Sequence, residues 1–156
     1  MRISLINIAN KMPAWIVDGE REYLKRINHG KYSCRLIEIK AEKIPHKTSE
    51  ENMLFEAEKI RRQIPDGSLV IVFDEKGKQF TSVAFAQKLE ALANIQPNLA
   101  IIIGGADGVH PTLKKAAHIC ISLSSLTYPH ALVRVIALEQ IYRAITILEK
   151  HPYHRE

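Results

Sequence analysis

The side chains best able to do chemistry gather at four places. One is the chain end, HPYHRE, His151 to Glu156, which sets two histidines, a tyrosine, a proline and an arginine behind a long helical pattern. Imidazoles exchange protons near neutral pH. A guanidinium grips phosphate or steadies developing negative charge, and a phenol ring offers a stacking face. Chain ends are more often frayed and solvated, so the tail reads either as a piece of a site or as a polar terminus. His151 and His154 stand three apart, but no third ligand accompanies them in the sequence, so no metal is expected.

The other three places are loops. In VFDEKGK, Val72 to Lys78, Phe73 closes an apolar run and Asp74 and Glu75 follow. That is one wall of a pocket, or a charged turn with Gly77 at positive φ. In IIIGGADGVH, Ile101 to His110, Gly104 and Gly105 come immediately after an apolar run, with Gly108 three residues on. The spacing is neither the GxGxxG of dinucleotide folds nor the GxxxxGK[ST] of a P-loop, which counts against NAD and ATP. These glycines either admit a ligand to the backbone or make a tight turn. The third loop, LSSLTYPH, Leu123 to His130, is rich in hydroxyls and meets Pro129 where a helix should start. Free amides there would hold a polar ligand edge; ordinary capping by Thr127 is the plainer reading.

Apolar periodicity predicts the elements that hold these loops. ISLINIA, Ile3 to Ala9, alternates as a strand. Pro13 then opens an amphipathic helix with Trp15, Ile16, Tyr23, Leu24 and Ile27 on its apolar face. SCRLIEIK is a second strand, and Ala41 to Lys47, broken by Pro45, is a loop. Thr48 and Glu51 form a capping box before a second helix that ends at the PDG turn. SLVIVFD and LAIIIGG are continuous apolar runs, the mark of strands buried on both faces. Between them, after an EKGK turn, Thr81 or Ser82 caps a third helix. Pro111 opens a short helix, ICISL is a fifth strand, and Pro129 opens a last helix to about Lys150. Strand and helix alternate five times, which predicts an α/β fold with a mainly parallel sheet and helices on both faces. Ligands in such folds sit outside the carboxyl ends of the strands, where all three loops fall.

The last helix carries a wide apolar face, expected to serve a subunit interface. Two arginines interrupt it. Glu139 stands four before Arg143, the spacing of a helix ion pair. Arg134 has no such local acid, so it either finds a distant partner or reaches an anionic ligand.

With 156 residues, 46% hydrophobic and 25% charged, the chain fits one globular domain, 1–156, and not a disordered protein. No apolar run approaches the ~18 residues that cross a bilayer, and the start lacks the apolar block of a signal peptide, so a cytoplasmic protein is expected. Cys34 and Cys120 lie in strand-like runs outside any CxxC, and read as buried reduced thiols. Lys plus Arg exceeds Asp plus Glu by 22 to 17, a modest bias toward anionic partners.

Taken together, IIIGGADG, LSSLTYPHALVRVIALEQIYRA, the terminal HPYHRE and the N-terminal KMPAWI closely resemble the small SPOUT-class methyltransferases of bacterial large-subunit ribosomal RNA. The likeness covers essentially the whole chain. It implies methylation of N3 of a pseudouridine in a 23S rRNA stem-loop, a C-terminal deep trefoil knot, and a homodimer with the last helix among its packing elements. It also implies S-adenosyl-L-methionine as methyl donor, held by loops that match Phe73, Gly104, Gly105 and Leu123, Ser124, Ser125, Leu126, Thr127 and Tyr128. For such a reaction His154 is the candidate base, Arg155 a charge-stabilising or RNA contact, and Tyr153 a stacking surface. His130 and Arg134 are candidate RNA contacts. A tRNA methyltransferase, or a non-catalytic ribosome-binding or assembly factor that keeps the fold, is the alternative. The modest charge predicts that the substrate is the folded ribosomal particle rather than naked RNA.

Overall fold

The computed structural model describes residues 1–41 and 44–155. Part of the expected 41–47 loop, and Glu156 of the tail, lie outside them. Among the described residues ten elements alternate: β1 (Arg2–Ala9), α1 (Ala14–Ile27), β2 (Ser33–Lys40), α2 (Ser49–Gln63), β3 (Leu69–Gln79), α3 (Ser82–Ile95), β4 (Asn98–Ile103), α4 (Pro111–Ala116), β5 (Ile119–Ser122) and α5 (His130–Leu148). The five strands form one sheet in the order β2-β1-β4-β3-β5, every pair parallel. The α/β fold expected from the alternation is the fold observed.

Local chemistry sets most boundaries. Thr48 Oγ1 accepts from the Glu51 amide (3.2 Å) while the Thr48 amide donates to Glu51 Oε2 (2.8 Å), the reciprocal capping box. Thr81, not Ser82, caps α3 by accepting from the Ala84 amide (3.2 Å). Pro13 and Pro129 occupy the N-cap positions of α1 and α5 without a side-chain cap, so Thr127 is not the cap of α5.

Helices cover both faces. On one side α1, α3 and α5 pack on Ile3, Leu5, Phe73 and Ile103; on the other α2 and α4 pack on Ile6, Ile8, Val72 and Ile102. Central β4 is buried from Leu99 to Ile103. Each branched aliphatic side chain so removed from water contributes about 1.5–3 kcal/mol.

The register levels the strand ends. Asn7 pairs with Ile103, Ile103 with Phe73, and Phe73 with Ile121, so the expected loops leave the sheet side by side. One local reading changes. β3 does not stop before EKGK: it pairs with β5 through Phe73, bulges, and resumes when Lys78 meets Ile121 again. Gly77 has no positive φ. A Cβ there would lie 2.5 Å from the Ile121 carbonyl carbon, so close backbone approach, not a left-handed turn, requires glycine.

Candidate active site

A cavity of about 500 Å³ opens at this sheet edge. Its lining comes from all three loops: Phe73 to Lys76, Ile103 to Gly108, and Ser122 to Tyr128 except Ser125. The structure therefore brings Phe73, Gly104, Gly105, Leu123, Ser124, Leu126, Thr127 and Tyr128 to one place and leaves Ser125 off the wall. His130 and Val133, from the start of α5, close one side, and Lys114 of α4 another.

The two adjacent glycines have different physical reasons. A Cβ on Gly104 would sit 2.3 Å from the Gly108 carbonyl oxygen and 2.7 Å from Val109 Cγ2. Gly104 is thus required by its own loop, which closes through a Gly108 amide to Gly105 carbonyl bond (3.0 Å) with Gly108 at φ 89°. Beside it, a Cβ on Gly105 would first meet side-chain atoms, Glu56 Oε2 at 3.2 Å and Ile8 Cγ2 at 3.3 Å. Hydroxyls shape the third loop: Ser122 Oγ donates to the Ser124 carbonyl (2.7 Å), and the Leu126 amide donates to Ser124 Oγ (2.9 Å). Leu126 itself is 71% exposed at the rim.

Several polar groups on the wall are held in place. Asp74 pairs with Lys114 Nζ at 2.5 Å and accepts from the Lys76 amide at 3.0 Å. No sequence pattern links Lys114 to Asp74; only the folding of α4 over β3 does. His130 Nε2 lies 2.7 Å from the Ile8 carbonyl and must carry the proton that bonds it. Burial lowers the His130 pKa, so the ring is neutral at physiological pH. The size of the cavity, its apolar patch of Phe73, Ile103, Leu126 and Val133, and the polar side chains around that patch fit a nucleoside-sized ligand.

One expectation is corrected. Arg134 is not presented to RNA: it is fully buried, with Nη2 2.6 Å from Glu38 Oε1 and Nε paired to Glu20. Its acids come from β2 and α1, too distant in sequence to be visible as helix spacing. The tail, for which the sequence left open which cavity it serves, does not line the cavity of its own chain. Tyr153, His154 and Arg155 are absent from its lining, and the tail folds back on the far end of α5.

There, Tyr153 Oη donates to Glu139 Oε1 (3.1 Å) and its ring meets Tyr142 edge-on at 4.8 Å. The Arg143 guanidinium lies 4.9 Å from the Tyr153 ring centre, with Nη1 3.4 Å from His154 Nδ1. Burial and the neighbouring Tyr23 push the Tyr153 phenol up to about 12. Arg143 makes the expected helix pair with Glu139, at 2.5 Å. From Val133, the cavity-lining residue furthest along α5, to Arg143 the helix rises about 15 Å, which separates the Arg143 anchor from the cavity.

An α/β sheet with a three-loop cavity at its carboxyl edge and a glycine pair unlike those of NAD or ATP sites defines a class that the comparisons identify. Residues 1–154 match the family described as "Predicted SPOUT methyltransferase", and the chain belongs to that family. It is 41% identical over 155 residues to Ribosomal RNA large subunit methyltransferase H of Nitrosomonas eutropha, covering 99% of each chain. The protein of that name from Herminiimonas arsenicoxydans is 44% identical over 158 residues, again covering 99% of each. Among solved structures, a probable methylase family protein from Haemophilus influenzae Rd KW20 shares the fold at TM-score 0.56 and 15% identity, covering 99% of this chain and 70% of that one.

Proposed function

We propose that this protein methylates N3 of a pseudouridine in a 23S ribosomal RNA stem-loop, on the assembled ribosome in the cytoplasm, using S-adenosyl-L-methionine. The observation that carries the reading is the three-loop cavity in a chain similar along its full length to large-subunit rRNA methyltransferases. When bound, the cofactor supplies an electrophilic methyl group on a sulfonium. Phe73, Ile103 and Leu126 would pack its apolar surface, while Asp74, Thr127 and the backbone of Gly104 to Gly108 offer polar edges.

The acceptor nitrogen must lose its proton as the new N–C bond forms and the C–S bond breaks. His154 takes that proton, Arg155 faces the negative charge that develops on the base, and Tyr153 stacks on it. The protein acts as a homodimer, with the tail of one copy serving the cavity of the other. The separation of cavity and tail along α5 supports that arrangement. The C-terminal trefoil knot belongs to the same reading and rests on the family match.

Calorimetry with S-adenosyl-L-methionine tests the cofactor, and absence of binding at millimolar ligand would sink it. Mass mapping of 23S rRNA from a deletion strain tests the substrate: loss of one methyl from a pseudouridine-bearing stem-loop is expected, and an unchanged stem-loop refutes it. Turnover on ribosomes should exceed turnover on an isolated hairpin.

A further inference from the structure

Arg134 is a side chain whose cost demands a reason. Its exposure is 0%, and taking a guanidinium out of water carries a desolvation penalty that its partners must offset. Burial also raises the Glu20 carboxyl above its ordinary value against the pull of Arg134. An apolar side chain of similar volume would often serve stability as well. It would not fix the rotation and axial position of α5 as a planar fork of donors does.

The fold surrounds that fork with acceptors from three elements. Asn7 and Glu38 are register partners on β1 and β2. With its amide nitrogen donating to the Ile37 carbonyl (3.3 Å), Asn7 presents its oxygen to Arg134 Nε (3.2 Å) and Nη1 (3.3 Å). Glu20 reaches the same guanidinium from α1, whose Gly19 lets Val135 of α5 approach an ideal Cβ position to 3.3 Å. Three elements thus converge on one residue in the second turn of α5.

That turn follows the cavity wall. α5 starts without a side-chain cap, after a loop whose Ser125, Leu126 and Thr127 are exposed. His130 and Val133 nonetheless line the cavity, and His130 is tied to Ile8 of the strand that carries Asn7. We propose that Arg134 is a positioning residue: by gripping Asn7, Glu20 and Glu38 it fixes the start of α5, so that His130 and Val133 form one wall of the cofactor cavity. The binding arm of the test rests on the cofactor reading above; the exchange arm does not.

The test uses the full chain carrying Glu20→Gln with Arg134→Met, which removes the buried charges together, and Arg134→Lys, which keeps the charge and loses the fork. Both are compared with wild type by thermal melting, hydrogen exchange and calorimetry with S-adenosyl-L-methionine. The double variant should melt within a few degrees of wild type. Its amides from Leu132 to Ala137 should exchange about tenfold faster or more, and cofactor affinity should fall about tenfold, the effect of a wall displaced by a fraction of an ångström. Unchanged exchange in α5, with affinity within about twofold of wild type, would overturn the proposal and leave Arg134 a fold residue. If the double variant fails to fold, Arg134→Lys decides by the same two readings. A wild type that binds no cofactor sinks the cofactor reading, and exchange in α5 still decides this one.

Discussion

Gly104→Ala separates a glycine required by its own loop from one adjacent to it. The new Cβ would lie 2.3 Å from the Gly108 carbonyl oxygen and 2.4 Å from its carbon. A carbon–oxygen contact needs roughly 3.3 Å, so the Gly108 peptide must retreat by about 1 Å. Backbone cannot swing aside as a side chain does, and overpacking of this kind costs about 1–3 kcal/mol. For a chain of this size each kcal/mol lowers Tm by about 2–4 °C, so Gly104→Ala should melt about 2–12 °C below wild type. The displaced peptide is cavity wall, so cofactor affinity should fall with it. Gly105→Ala meets only Glu56 and Ile8 side-chain atoms, at 3.2 and 3.3 Å, and should cost about 1 kcal/mol or less. Differential scanning calorimetry and cofactor titration on the two variants check the contrast. A Gly104→Ala protein as stable and as tight-binding as wild type would refute the reasoning, as would Gly105→Ala proving the more damaging to stability.

Truncation after Lys150 removes the Tyr153 hydrogen bond to Glu139 and its ring contacts with Tyr142 and Arg143. These contribute about 1–3 kcal/mol net of the tail's ordering entropy. Circular dichroism should therefore show a folded protein, while methylation of ribosomes is lost; retained methylation would mean the tail has no part in the chemistry. His130 has its pKa lowered by burial, so the unfolded chain takes up a proton first as pH falls. Stability attributable to His130 is full above about 6.5 and declines as pH drops from there toward the lowered native value. Urea denaturation of wild type minus His130→Gln should show that decline, and a flat difference between pH 8 and 5 would contradict it. Burial pushes the Cys34 thiol up to about 12 and raises Cys120 as well. Iodoacetamide at pH 8 should then label neither quickly in the native state, and mass spectrometry would reveal a reactive site if this is wrong.

What was legible in the chain was local. The Thr48–Glu51 box, the apolar runs of β3 and β4 and the five-fold alternation are written over a few residues each, and the parallel sheet with loops at one edge follows from them. The tail and the arginines were not legible in the same way. Glu139 and Arg143 are four apart, and their pair could be read; Arg134 meets Glu20 and Glu38, whose nearness depends on α1, β2 and α5 coming together. Gly77 misled because glycine serves both positive φ and close approach, and only the neighbour, Ile121 of β5, distinguishes them. HPYHRE shows the same limit most clearly. Its residue types fit an active site, yet Glu139, Tyr142 and Arg143 hold Tyr153 and His154 further along α5, away from the cavity lining of their own chain. Residue chemistry can nominate Tyr153, His154 and Arg155 as a set. In the proposed homodimer, which cavity they serve would be set by the symmetry of the pair, and no spacing within one chain can encode it.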